Sequence, residues 1–208
     1  EKPYIENGAV LIDGNVIKEI GKTEDLKTKY PQVEYKDAKG RLVMPGFVNT
    51  HMHYYSTFAR GMFLGGKPAT MFGEVLRNLW WRLDRTLNLE DVKYSALLPM
   101  IEQVKCGVTT VIDHHASPNA LEGSLMKIAE AAKITGIRSN LCYEVSDRDG
   151  EEIANAGIKE NIDFIKYCDT EDNDMLRGLF GLHASLTISD KTLDKCLEAV
   201  SGVNKGFH

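Results

Sequence analysis

The chain has 208 residues, 43% hydrophobic and 26% charged, an ordinary globular composition that can bury a real core. Its net charge of -5 and pI near 5.7 argue against a general nucleic-acid binder, which carries a basic face. It has no run of about 18 apolar residues and no signal-like start, so neither a membrane span nor secretion is expected.

Residues Gly8 to Gly21 (GAVLIDGNVIKEIG) read as a hairpin, because two β-rich runs flank the turn signal Asp13-Gly14-Asn15. Thr23 to Tyr30 reads as a short helix, with Thr23 as its cap and Glu24-Asp25 in its first turn. Val33 to Val43 offers further extended segments around Lys39-Gly40. Residues 1–43 are therefore expected to be part of a small β-rich domain.

From Met44 the pattern changes to apolar strands alternating with amphipathic helices. The strands are expected at Val43–Asn49, Thr109–Asp113, Ile137–Tyr143 and Leu179–His183. Helical spacing runs through Leu89–Lys105, Leu121–Lys133, Ala156–Cys168 and Asp190–Val200. Gly107 and Gly136 sit just past two of these helices, where a C-terminal glycine is favoured, and Pro99 suggests a kink or break in the first. The acidic run 169–174 (DTEDND) reads as a solvated loop. The four cysteines, Cys106, Cys142, Cys168 and Cys196, form no CxxC pair and read as reduced thiols of a cytoplasmic protein.

Repeated strand-helix units point to an α/β fold with a parallel sheet, either doubly wound or a barrel. A doubly wound nucleotide-binding sheet would place a Gly-rich loop after its first strand, where this chain has His51-Met52-His53. Polar groups fall at the strand ends: His51 and His53, Asp113-His114-His115, Tyr143-Glu144 and His183. A (β/α)8 TIM barrel gathers its chemistry there. A complete barrel needs roughly 250 residues, so 44–208 reads as the N-terminal half of one, truncated, and the natural protein is expected to continue past His208.

The motif MPGFVNTHMH (Met44 to His53) carries the chemistry. Side chains at i and i+2 of a strand share a face, so His51 and His53 project together and can grip one ion. Neutral imidazoles suit zinc or iron, and a catalytic ion activates water near neutral pH. Of the next pair, strand alternation lets only one member face the site; with Asp113 taken as inward, His115 is favoured and His114 packs outward. Arg60 is a candidate for a substrate carbonyl or carboxylate, or for a loop ion pair. Trp80 and Trp81 offer a stacking wall, though core packing or a subunit contact is favoured; Glu144 is a candidate barrel-mouth carboxylate, with a loop salt bridge the favoured reading. The H-x-E and P-C-x-x-C motifs of cytidine-type deaminases are absent.

PGFVNTHMH, with RGM (Arg60 to Met62), GVTTVID (Gly107 to Asp113) and GLHASLTIS (Gly181 to Ser189), resembles the deaminase and chlorohydrolase branch of the amidohydrolase superfamily. Within that branch the chain most resembles the SsnA aminohydrolase group, and Asp113-His114-His115 is similar to the 8-oxoguanine deaminases. The resemblance implies a small β-sandwich, built from both chain ends, flanking the barrel. It implies one divalent metal, zinc first and iron second, held by His51 and His53 and by a histidine and an aspartate beyond residue 208. The acid/base glutamate would also lie beyond the chain, so no catalytic residue is assigned here. His208 would stand near the metal without binding it, and His183 would contact substrate. The fourth strand carries no bridging lysine, which favours a single metal. The implied activity is hydrolytic deamination of a small heterocyclic or amidine-like substrate by a homo-oligomer, with the isolated 208 residues inactive. Rival readings are a cyclic amidase or chlorohydrolase using the same activated water, and a non-catalytic metal-binding relative.

Overall fold

The structure is a computed structural model that describes residues 3–62, 65, 68–171 and 174–208; part of the acidic run 169–174 lies outside them. The chain divides into two compact units, Glu1–Pro45 and Gly46–His208.

In the first unit, β1 (Gly8–Asp13) and β2 (Val16–Lys22) pair antiparallel. The turn between them places Gly14 at φ +61°, a left-handed conformation that glycine adopts without strain. Helix α1 (Thr23–Lys29) follows and buries Leu26. Thr23 does not cap it as expected: its hydroxyl donates instead to the Asn7 carbonyl, 2.7 Å away, tying the helix start to the strand start. Residues 33–43 form no strand, contrary to the expectation; a turn stands at Lys39-Gly40, where Asp37 Oδ1 accepts from the Lys39 N–H.

The second unit is built on a four-stranded parallel sheet in the order β3 (Phe47–Met52), β4 (Val108–His115), β5 (Arg138–Tyr143) and β6 (Leu176–Gly178). Between β3 and β4 comes one helical run, α2 (Phe72–Val75) and α3 (Trp81–Leu83) joined by a π-helical stretch at Leu76–Trp80, and then α4 (Leu89–Lys105). Helix α5 (Ser124–Thr135) joins β4 to β5, α6 (Glu151–Thr170) joins β5 to β6, and α7 (Asp190–Ser201) follows β6. The fourth strand thus lies earlier than Leu179–His183. The Leu179–His183 run carries the pairing of β6 onward, bonding through its backbone to Leu141 and Val145, while Phe180 exchanges backbone hydrogen bonds with Gly206 and His208, the start of a fifth parallel partner.

Local chemistry sets the helix ends. Asn88 and Asp91 form a reciprocal capping box at the start of α4, which continues through Pro99. The N-terminus of α5 is closed by Glu160 of α6, whose carboxylate accepts from the Gly123 and Leu125 N–H groups. Gly136 ends α5 in the left-handed conformation, its N–H donating to the Ala132 carbonyl.

The core lies between the sheet and its helices: Val111 of β4 and Leu141 of β5 pack with Val92 and Met100 of α4 and Leu125 and Ile128 of α5. A smaller cluster joins Val145, Ile165, Phe180 and Cys196. All four cysteines are free thiols. Among the described residues no helix is long and apolar enough to cross a membrane.

Candidate metal centre

The Pro-Gly lead-in has a steric reason. A Cβ on Gly46 would stand 2.2 Å from Thr109 Cγ2, so only glycine lets the start of β3 lie this close to β4. The β3–β4 register then slips between Asn49 and Met52. Asn49 reaches toward α4, donating to Gln103 Oε1 at 3.1 Å, while His51 turns toward His114 and His208. The rings of His51 and His53 stand 4.8 Å apart, edge to face.

His53 Nδ1 lies 2.6 Å from the His114 carbonyl oxygen, so Nδ1–H donates there and Nε2 keeps its lone pair. His114 supplies the third imidazole: ligand nitrogens of His51, His53 and His114 lie within 4.8 Å of one another. His208 stacks on His51, its Nε2 2.9 Å from His51 Nδ1. Burial holds His53 below its usual value and, reinforced by the neighbouring imidazoles, pushes His114 down to about 2.

The facing expected for β4 is reversed. Val111 packs among the helices, and by alternation Asp113 and His115 join it on that side, leaving His114 on the other. Asp113 Oδ1 accepts from the Tyr54 N–H at 2.7 Å. His115 is fully buried between Tyr55 and Tyr143, with Nε2 2.9 Å from Ser117 Oγ. That hydroxyl donates to the Ala120 carbonyl, so His115 Nε2–H is the donor to Ser117. His115 is a core histidine, which burial pushes down to about 3. Anchoring the alternation on Val111 instead of Asp113 would have found this.

Glu144, for which the sequence favours a loop salt bridge over a barrel-mouth carboxylate, stands beside the imidazoles. Its backbone N–H donates to the His115 carbonyl at 2.8 Å, holding the end of β5 against β4. Asn161 of α6 fixes the preceding residue by accepting from the Tyr143 N–H and donating to its carbonyl. Gly181 admits the neighbouring segment, since a Cβ there would lie 2.3 Å from the Tyr143 carbonyl oxygen. Glu144 Oε2 is 3.7 Å from His114 Nδ1 and 4.0 Å from His53 Nδ1, and Oε1 is 4.0 Å from His183 Nε2. Burial pushes the carboxyl up to about 8, with Arg148 opposing.

Arg148 is itself buried and pairs with the buried Asp84 at 2.6 Å and with Asp149 at 3.2 Å, its guanidinium lying over Trp81. Trp80 packs edge-on to Tyr55, within the core. The structure therefore puts both tryptophans to packing and ion-pair support. Arg60 is exposed at the end of the helical turn Tyr54–Ala59, with no side-chain partner among the described residues. His183 is half-buried, Nδ1 hydrogen-bonded to Thr187 Oγ1, and burial followed by Arg148 pushes it down to about 4.

The donor set fits a divalent metal of the zinc or iron type: His53 and His114 kept neutral by burial, a carbonyl that selects one ring tautomer of His53, and a buried His114 Nε2 with no hydrogen-bond partner.

Comparison with known proteins agrees. The amidohydrolase family pattern matches residues 42–208, and an imidazolonepropionase-like composite domain of bacteria matches residues 8–32. A 5'-deoxyadenosine deaminase from Methanocaldococcus jannaschii is 33% identical over 199 residues, 96% of this chain and 44% of that protein. A 5-methylthioadenosine/S-adenosylhomocysteine deaminase from Thermococcus sibiricus is 32% identical over 184 residues, 88% of this chain and 40% of that protein. Among solved structures, E. coli guanine deaminase superposes with a TM-score of 0.77 at 20% identity, over 98% of this chain and 46% of that one. A zinc-bound adenosine deaminase from Xanthomonas campestris gives 0.72 at 20%, over 98% and 44%. The chain spans less than half the length of these relatives. It belongs to the amidohydrolase family.

Proposed function

We propose that this chain carries the metal-binding half of a metal-dependent aminohydrolase, which removes an amino group from a small heterocyclic or amidine-like substrate by hydrolysis. The observation that carries the reading is the convergence of three imidazoles from two strands, within 4.8 Å, at the C-terminal end of a parallel sheet. The fold reading is the first half of a (β/α)8 barrel preceded by part of a β-sandwich; the composite-domain match at residues 8–32 supports the second element.

His51 and His53 hold the ion in this reading, with His114 as a third nitrogen ligand. Zinc is the first choice and iron the second. The bound ion supplies Lewis-acid activation of water. The chain's own residues do the rest of what this half can do. The His114 carbonyl fixes the His53 tautomer, so Nε2 is the nitrogen that would hold the ion. His208 supports His51 from behind. His183, braced by Thr187, orients substrate. Arg60 remains a substrate-contact proposal from sequence, whereas His115 holds the core behind the site and does not reach it. The acid/base glutamate and the remaining ligands implied by the family resemblance are not among the described residues.

Elemental analysis after exhaustive dialysis, on the wild type and on His51→Ala/His53→Ala, tests the reading. One zinc or iron per chain, lost in the variant, supports it and directs a screen of aminated heterocycles for ammonia release. Well-folded wild type that takes up no metal under metal-replete conditions rejects it.

A further inference from the structure

Exposed apolar side chains of the second unit fall into two kinds. Phe47 and Val48 lie on β3, the edge strand of the sheet, and belong to an open edge that a further strand would cover. The outer face of α4 is different, because that helix already has its neighbours. Val92, Ala96 and Met100 turn into the core, Lys93 pairs with Glu130 of α5 at 2.9 Å, and the turn Tyr54–Ala59 packs against it as well. Away from the core stand Tyr94, Leu98 and Ile101, which are 54%, 48% and 43% exposed. On a helix of 3.6 residues per turn these three share an arc of about 60°, on the side opposite Val92, Ala96 and Met100. A surface helix carries polar residues there, so three large apolar side chains in one arc mark a contact surface.

The charges at the two ends of this stripe indicate what covers it. The first turn of α4 carries Glu90 and Asp91, and the last turn carries Lys105. Lys105 is engaged only by Glu102 at 3.1 Å, an exposed contact of little strength. A second copy of α4, laid antiparallel about a two-fold axis between Leu97 and Leu98, sets Tyr94 against Ile101 of the partner subunit. It also brings the two Leu98 side chains together and sets Lys105 against Glu90 of the partner subunit, each contact outside the axis being made twice. The helix dipoles add to this, since each acidic first turn meets a basic last turn. A parallel pair would instead oppose Lys105 to Lys105 and Glu90 to Glu90.

We infer that the outer face of α4 is the interface of a symmetric homodimer, in which Tyr94, Leu98 and Ile101 pack across the two-fold axis while Glu90 and Lys105 set the antiparallel direction. Trp80 and Trp81, the candidates for a subunit contact in the sequence, are taken up by packing and ion-pair support instead. The interface does not depend on the metal centre, which lies at the ends of the strands.

Analytical ultracentrifugation and carbodiimide cross-linking of the whole protein test the inference. A zero-length link between Glu90 and Lys105 is expected in the peptide map. Within one helix those residues are about 22 Å apart, so the link forms only between subunits. Leu98→Asp is expected to halve the mass, from dimer to monomer, with Tm and metal content near wild type. Glu90→Lys and Lys105→Glu are each expected to weaken association about 10-fold, and the double reversal to restore it, because the two charges exchange places. Should Leu98→Asp not fold, the charge reversals decide. A monomer at every concentration, an assembly indifferent to the charge reversals, or links from Glu90 and Lys105 to other segments without one to each other overturns the inference.

Discussion

The two sides of β4 and β5 are made from alternate residues of the same strands, yet they hold different kinds of group. Toward the helices stand Val111, Leu141, Asp113 and His115, sealed among α4, α5 and the turn at Tyr54. Away from them stand His114 and Glu144, which meet His51, His53 and His183. Neighbours in sequence therefore differ in what they do. His115 has a hydrogen-bond donor role inside a packed core, where alteration costs stability. His114 has a lone pair on a buried nitrogen with no partner, where alteration costs binding. A polar side chain in the fold is explained by what its atoms touch, not by its distance from the motif.

The largest effect that could break this contrast is on metal uptake. His51→Ala/His53→Ala is expected to abolish it with little change in Tm, because neither imidazole belongs to the apolar core. The adjacent-histidine pair sharpens the contrast next. His115→Ala is expected to cost about 2–4 kcal/mol, from the cavity and the unpaired Ser117, and to leave metal stoichiometry intact. His114→Ala is expected to do the reverse, weakening metal binding with a smaller loss of stability; chemical denaturation with metal titration separates the two.

Acid unfolding reads the helix side independently. His115 titrates near 3 in the fold against an ordinary 6.5. Below 6.5 the unfolded chain takes up that proton first, so the contribution of His115 to stability is lost as pH falls from 6.5 toward 3. Asp113, pushed up by the same burial, contributes with the opposite sign, so the measurement is the difference between wild type and His115→Phe. The variant is expected to lack part of the acid loss of stability over that range. A smaller effect follows at the junction that carries Glu144: Gly181→Ala is expected to cost about 1–3 kcal/mol, since its Cβ has no room beside the Tyr143 carbonyl. Smallest is thiol access in the native protein. Cys106 is exposed, whereas burial covers Cys142, Cys168 and Cys196 and pushes the last two up to about 12 and about 11, so a single fast-labelling thiol is expected by mass spectrometry.

Periodicity made much of this fold legible. Leu89–Lys105 forms α4 with the expected bounds, and the strands at 108–115 and 138–143 lie within a few residues of expectation. Spacing alone also placed His51 and His53 side by side. What stayed hidden depends on contacts distant in sequence. Which face of β4 meets the helices is set by Val111 packing on α4 and α5, so one residue of parity exchanged His114 and His115. Glu144 resembles any loop carboxylate until the Asn161 clamp and the close approach at Gly181 fold it over the imidazoles. The fourth strand starts at Leu176, before the apolar Leu179–His183 run expected from sequence, and that run extends its parallel pairing toward Val145 on one side and His208 on the other.

The most direct test of the account is the cobalt titration of wild type, His114→Ala and His115→Ala, read by visible absorption and elemental analysis. The expected result is a metal site present in wild type and His115→Ala and weakened in His114→Ala. A site lost with His115 and indifferent to His114 would contradict the facing of β4 and the assignment of the third imidazole.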